Sequence, residues 1–135
     1  AVRFPFSIRS SLFVWKLFNL DASWVKHKTT PRGRYLVEVL GHCAECHTSR
    51  SIFGSLNRGA WLQGAPSFSG KGKVPGITPA TLNWTEEEIV EYLSTGFTPD
   101  FDVAGGGMAQ VIENTSRLKI SDLRAIARYL MEPQN

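Results

Sequence analysis

Cys43-Ala44-Glu45-Cys46-His47 carries the spacing C-x-x-C-H, and the rest of the chain is read outward from it. This spacing is an attachment signature for a c-type haem. Two thiols three positions apart on one helical turn can each add to a vinyl group of the same porphyrin. The residue that follows then offers an imidazole beneath the iron. A bare C-x-x-C also occurs as half a zinc site or as a thioredoxin-like redox pair. The chain holds only two cysteines, both inside the motif, so a cysteine-rich zinc site cannot be completed. His27, His42 and His47 lie on one side of the motif without H-x-x-x-H spacing. A thioredoxin-like pair would need a βαβ pattern, and nothing in the chain reads as a parallel sheet.

The 135 residues are enough for one domain with a core, plus an extension. Hydrophobic residues at 42% and charged residues at 20% are ordinary for a globular protein. A net charge of +3, with no basic stripe or recognisable motif, gives no indication of nucleic acid. Ala1 in place of an initiator Met suits a processed N-terminus and equally a fragment.

Residues 1–25 are the most apolar stretch, with Phe4, Phe6, Leu12, Phe13, Trp15, Leu17, Phe18 and Trp24. Arg3, Arg9 and Lys16 interrupt it, so it is not a membrane span. Ser10 or Ser11 is placed to cap a short helix on which Leu12, Trp15 and Phe18 share a face. Such an arm either folds back over its own domain or docks on a partner or a membrane surface. A protein contact is favoured over lipid. Residues 26–29 read as a polar hinge, which divides the chain into an arm and hinge (1–29) and a haem domain (30–135).

Thr30-Pro31 is a helix start, and the helix is expected to run over 31–46 and present the motif. Tyr35, Leu36 and Val39 are expected on its core face, with Arg32, Arg34 and Glu38 solvated. Residues 48–81 are dense in Gly and Pro and predict an irregular loop without regular elements. Wrapping a cofactor edge is a natural use of so long a loop. Phe53, Trp61, Leu62, Phe68 and Ile77 are its candidate lining residues. The outer ring nitrogen of His47 needs an acceptor, for which a carbonyl near Pro66 or Pro75 is available.

Thr85-Glu86-Glu87-Glu88 is a capping box, and Gly96 closes the helix it opens. Its inner stripe is Ile89, Tyr92 and Leu93. Met108 follows Gly105-Gly106-Gly107, in what reads as a loop before the last helix. Glycines there let backbone approach a flat macrocycle, so Met108 is the candidate iron ligand opposite His47. A gap-filling core Met is the alternative. Ser121 is placed to cap the final helix, with Leu123, Ile126, Ala127 and Leu130 on its inner face. Gly33 is expected to permit a close crossing with that helix near Tyr129.

With these parts in place, the chain resembles a class I c-type cytochrome. Cys43, Cys46 and His47 match the family's thioether and proximal positions, and Met108 its distal ligand. Residues 32–38 leading into Gly41-His42-Cys43, residues 84–96, 106–114 and 123–130, and the opening 3–17 are similar to haem domains of multihaem subunits. Those subunits serve membrane-bound bacterial alcohol, aldehyde and gluconate dehydrogenases. Only one C-x-x-C-H is present here where those subunits carry two or three, and Gly76 stands where Asn is usual.

The resemblance implies an all-α cytochrome c fold, with about three main helices around one covalently attached haem c, long loops and an extended arm. It implies His47 and Met108 as iron ligands and a pocket that includes Trp61, Phe68 and Ile77. It further implies a one-electron carrier rather than an enzyme, periplasmic, working with a dehydrogenase subunit or another cytochrome. Peripheral membrane association through the arm is compatible with it. The rival reading is a haem enzyme or ligand-binding haem domain, in which Met108 leaves the iron.

Overall fold

In the computed structural model, residues 4, 7–20, 30–67, 70 and 72–133 are described. The arm forms helix α1 (Arg9–Asn19), which buries none of its residues. Its start follows Ile8, whose carbonyl accepts from the Ser11 hydroxyl, so neither Ser10 nor Ser11 is the cap. Among the described residues, α1 is tied to the domain by Trp15 Nε1, which donates to the Phe53 carbonyl at 2.8 Å, and by Arg58, which donates to the Asn19 carbonyl at 2.9 Å. The hinge 26–29, His27 and Trp24 lie outside the described residues.

The expected single helix over 31–46 is three pieces. Helix α2 (Pro31–Arg34) starts with Pro at its first turn, where the missing N–H costs nothing. Thr30 does not cap it; its hydroxyl donates instead to Glu132 at 3.0 Å. From Tyr35 to Leu40 the chain winds as a π-helix, ending where Gly41 N–H donates to the Leu36 carbonyl at 2.7 Å. The wider turn rotates the buried face. Leu36 and Val37 enter the core, while Tyr35 and Val39, expected there, are exposed. His42, left-handed at φ 48°, breaks the helix before α3 (Cys43–His47).

The segment 48–81 is largely irregular, but it contains short regular pieces. A 3-10 turn spans Arg58–Ala60, strands β1 (Ala65–Pro66) and β2 (Lys73–Val74) pair antiparallel, and α4 (Pro79–Leu82) begins on a Thr78/Thr81 capping box. Helix α5 (Glu86–Thr95) has the expected capping box and ends on left-handed Gly96. Helix α6 (Gly107–Thr115) takes in Met108, for which the sequence predicts a loop. Helix α7 (Ile120–Met131) starts after Lys119, two residues earlier than a Ser121 cap would set it.

The core sits where α7 meets α2, the π segment and α5. Leu123, Ile126, Ala127, Tyr129 and Leu130 of α7 are buried against Leu36, Val37, Ile89 and Leu93. Burying each large side chain there contributes roughly 1.5–3 kcal/mol. Gly33 makes the α2–α7 crossing possible, because a Cβ on it would strike the Ala125 carbonyl oxygen and lie 2.8 Å from Tyr129 Cβ. Among the described residues no helix is long and apolar enough to cross a membrane.

Candidate functional site

The site begins with α3, a single turn that sets both cysteines on one side and His47 at its end. Cys43 is half-buried against the core and Cys46 is exposed. Burial pushes the Cys43 thiol up to about 11, so it is a neutral thiol at pH 7. Gly41 keeps the approach to α3 narrow, since a Cβ on it would sit 3.2 Å from Cys43 Sγ and 2.8 Å from the Leu36 carbonyl oxygen.

His47 Nδ1 lies 2.7 Å from the Pro75 carbonyl oxygen. A carbonyl only accepts, so Nδ1 carries the proton and Nε2 is left as a lone-pair donor, the tautomer an iron ligand needs. Burial lowers the imidazole pKa, and the bond to Pro75 pulls the other way. Of the two carbonyls considered from the sequence, the one at Pro75 is the partner.

The loop places that carbonyl through a set of short bonds. Gly64 N–H donates to the His47 carbonyl at 2.7 Å, and Ile77 N–H donates to the Leu62 carbonyl at 2.8 Å. The buried Thr48 hydroxyl accepts from Leu62 N–H at 2.9 Å. Gly64, at φ +97°, passes so close to β2 that a Cβ would be 2.8 Å from the Val74 carbonyl oxygen. Gly76 is equally tight, since its Cβ would meet Thr81 Oγ1 at 2.5 Å. The loop as built has no room for Asn at position 76.

Trp61 and Leu62 are buried in the core, and Ile77 packs against it half-buried. Trp61 Nε1 donates to the Tyr129 hydroxyl at 3.4 Å. Phe53 is 69% exposed and its carbonyl is taken by Trp15, so it joins the arm rather than the core. Phe68 lies outside the described residues.

Met108 is in the first turn of α6, half-buried and packed against the core. Its N–H donates to the Gly105 carbonyl at 3.2 Å. Gly106, at φ 57° and ψ −137°, adopts a conformation that other residues avoid. Apart from neighbouring backbone, no described atom lies within 4 Å of a Cβ built on Gly105, Gly106 or Gly107, so this edge admits a flat group against backbone. Met131 is 40% exposed at the end of α7. Among the described residues there is no cluster of three His, Cys, Asp or Glu that could hold a metal ion.

The residues present fit a covalent haem: two thiols on one turn, an imidazole with its outer nitrogen held, and a thioether beside an open glycine edge. The feature the sequence reading passed over is Glu38, expected to be solvated. It is half-buried and accepts from the Tyr129 hydroxyl at 2.7 Å. Helix α6 was also missed, although Met108, Val111, Ile112 and Thr115 repeat at helical spacing.

No family model matches the chain. It is 53% identical over 131 residues to a "Diheme cytochrome c-type" protein of Cereibacter sphaeroides, covering 94% of this chain and 44% of that protein. It is 38% identical over 142 residues to the fructose dehydrogenase cytochrome subunit of Gluconobacter japonicus, covering 94% of the chain and 28% of the subunit. It is 33% identical over 147 residues to the gluconate 2-dehydrogenase cytochrome c subunit of Pantoea cypripedii, covering 96% of the chain and 33% of the subunit. The chain thus spans less than half the length of each of these relatives. It is a homologue of c-type cytochrome subunits, aligned over nearly all of its own length with one part of each.

Proposed function

We propose that the chain is a one-electron carrier holding a single haem c. Cys43 and Cys46 would hold it through thioether bonds, and His47 and Met108 would ligate its iron. The observation that carries this reading is the 2.7 Å bond from His47 Nδ1 to the Pro75 carbonyl, on the same turn as the two thiols. It fixes ring orientation and makes Nε2 a better ligand.

The haem supplies an iron that changes oxidation state by one electron, and a thioether opposite an imidazole favours the reduced form. The chain's own residues orient and insulate that group. Pro75 holds His47, Gly105 to Gly107 let backbone approach closely, and Trp61 and Ile77 keep the surroundings dry. With His47 and Met108 as the residues that would hold the iron, no position would be left for a substrate, and the chain would act as a carrier rather than an enzyme.

The names of the relatives support a place within a larger redox complex, between a dehydrogenase subunit and another cytochrome. The location proposed is the periplasm, with α1 contributing to docking. Absorption spectra of the natively produced protein, oxidised and then reduced and exposed to carbon monoxide, test this. A c-type spectrum with the far-red band of Met-ligated ferric haem and no response to carbon monoxide is expected. A carbon monoxide shift would instead support ligand binding. Titratable free thiols on the denatured protein would end the haem reading.

A further inference from the structure

Charge is segregated along this chain. Residues 86–102 hold six carboxylates and no Lys or Arg, although the whole protein carries a formal +3. Glu86 is paired with Arg128 at 3.1 Å, and the Glu88 carboxylate accepts from Thr85 N–H at 2.7 Å. Glu87, Glu91 and Asp100 are exposed, and among the described residues none of them joins an ion pair.

Beside these carboxylates lies a groove of about 440 Å³, lined by Glu88, Glu91, Phe97, Thr98, Pro99 and Phe101. One wall is α5; the other is a hairpin closed by the Phe97–Val103 bridge. Thr98 braces the tip, its N–H donating to the Asp102 carbonyl at 2.9 Å and its carbonyl accepting from Phe101 N–H at 3.0 Å. At that tip Phe101 is left-handed, φ +61°, and 95% exposed. A bulky residue in that region is strained, and strain of this kind gathers at functional surfaces. Among the described residues nothing covers the ring.

We infer that this groove is the docking site for the partner in electron transfer, a protein surface carrying Lys or Arg around an aromatic or aliphatic contact. The inference rests on the carrier reading and names the chemistry of its partner. Exposed aromatic faces flanked by carboxylates match cations and apolar groups together, in a way that neither water nor an anion does. The hairpin runs directly into Gly105 and Met108, so a partner seated here lies on the segment that bears the proposed distal ligand. Weak redox contacts of this size depend on electrostatic steering.

The test uses tris(phenanthroline)chromium(III), an aromatic, redox-inert paramagnetic trication, on the natively produced holoprotein. Broadening of Phe97 and Phe101 resonances at low salt is expected, with the mapping weakened roughly threefold or more in Glu87→Gln/Glu91→Gln/Asp100→Asn. Phe101→Ala is expected to weaken it without altering the haem spectrum. Hexacyanochromate(III), the anionic counterpart, is expected to avoid the groove. Broadening centred elsewhere, or unchanged by these variants, overturns the inference while leaving the carrier reading intact. A dimer in sedimentation whose formation abolishes the broadening of Phe97 and Phe101 overturns it too.

Discussion

The Tyr129 hydroxyl donates to a Glu38 carboxylate oxygen across 2.7 Å, joining α7 to the π segment ahead of the haem motif. Arg34 Nε donates to the other carboxylate oxygen at 3.1 Å, and Trp61 Nε1 donates to the Tyr129 hydroxyl at 3.4 Å. Burial first, and then the bond to Glu38, hold the phenol far above its usual range, so it stays protonated as a donor. Tyr129→Phe removes that donor and leaves a half-buried carboxylate short of a partner. Urea denaturation is expected to show a loss of about 1.5–3 kcal/mol, the worth of a hydrogen bond to a charged group. Glu38→Gln is expected to cost less in the Tyr129→Phe background than in the wild type. Equal costs would mean that the two groups are not coupled.

Gly33 and Gly96 are both required, for different reasons. A methyl on Gly33 would collide with the Ala125 carbonyl and crowd Tyr129, so Gly33→Ala pushes α2 away from α7. The expected loss is about 1–3 kcal/mol, the usual range for overpacking. Gly96 has φ +86°, and its Cβ would make only ordinary contact, 3.6 Å from Ile112. Gly96→Ala is expected to cost roughly 1–2 kcal/mol from backbone strain alone. Crystal structures of the two variants would distinguish them: α2 shifted in the first, α5 and its neighbours unmoved in the second.

These two glycines also mark what was legible in the chain. The Gly33 crossing and the Gly96 cap follow from local rules, since one residue lacks a Cβ and the other ends a stripe. The capping box at Thr85 and the buried stripe of α7 follow in the same way. The π segment did not. Its wider turn moved Val37 inward and Val39 outward, a rotation that a 3.6-residue period cannot anticipate. Helix α6 is masked by the glycines before Met108, which read as loop although Gly106 caps the helix and Gly107 opens it. Glu38 was assigned to solvent because its partner, Tyr129, lies 91 residues away. Long-range polar pairs of this kind leave no local signal.

Asp122 gives the fold a specific acid sensitivity. Arg32 donates to it through Nε at 2.8 Å and Nη2 at 2.9 Å. This hydrogen bonding holds the carboxyl below its ordinary range and raises the guanidinium in return. A folded-state pKa below the unfolded one favours the fold while the group is ionised. The contribution is therefore complete above the unfolded value of about 4 and is lost as pH falls through the lower folded value. The stability gap between wild type and Asp122→Asn is expected to be steady from about pH 5 to 7 and to close below about pH 4. A gap that persists in acid would mean that the pair contributes nothing through its charge.

Met108 carries the last prediction, and Met131 is its internal control. Both are thioethers near helix ends, but Met108 is half-buried beside the open edge of Gly105 to Gly107, while Met131 is 40% exposed on α7. If Met108 is the distal ligand, Met108→Ala retains the covalent haem, because Cys43, Cys46 and His47 are untouched. The variant then binds carbon monoxide, loses the far-red ferric band and shows a lower potential. Met108→His is expected to restore indifference to carbon monoxide while keeping the potential low, since the imidazole favours the oxidised form relative to a thioether. Met131→Ala is expected to change none of these. Met108→Ala with an unaltered spectrum would return this residue to the core as packing.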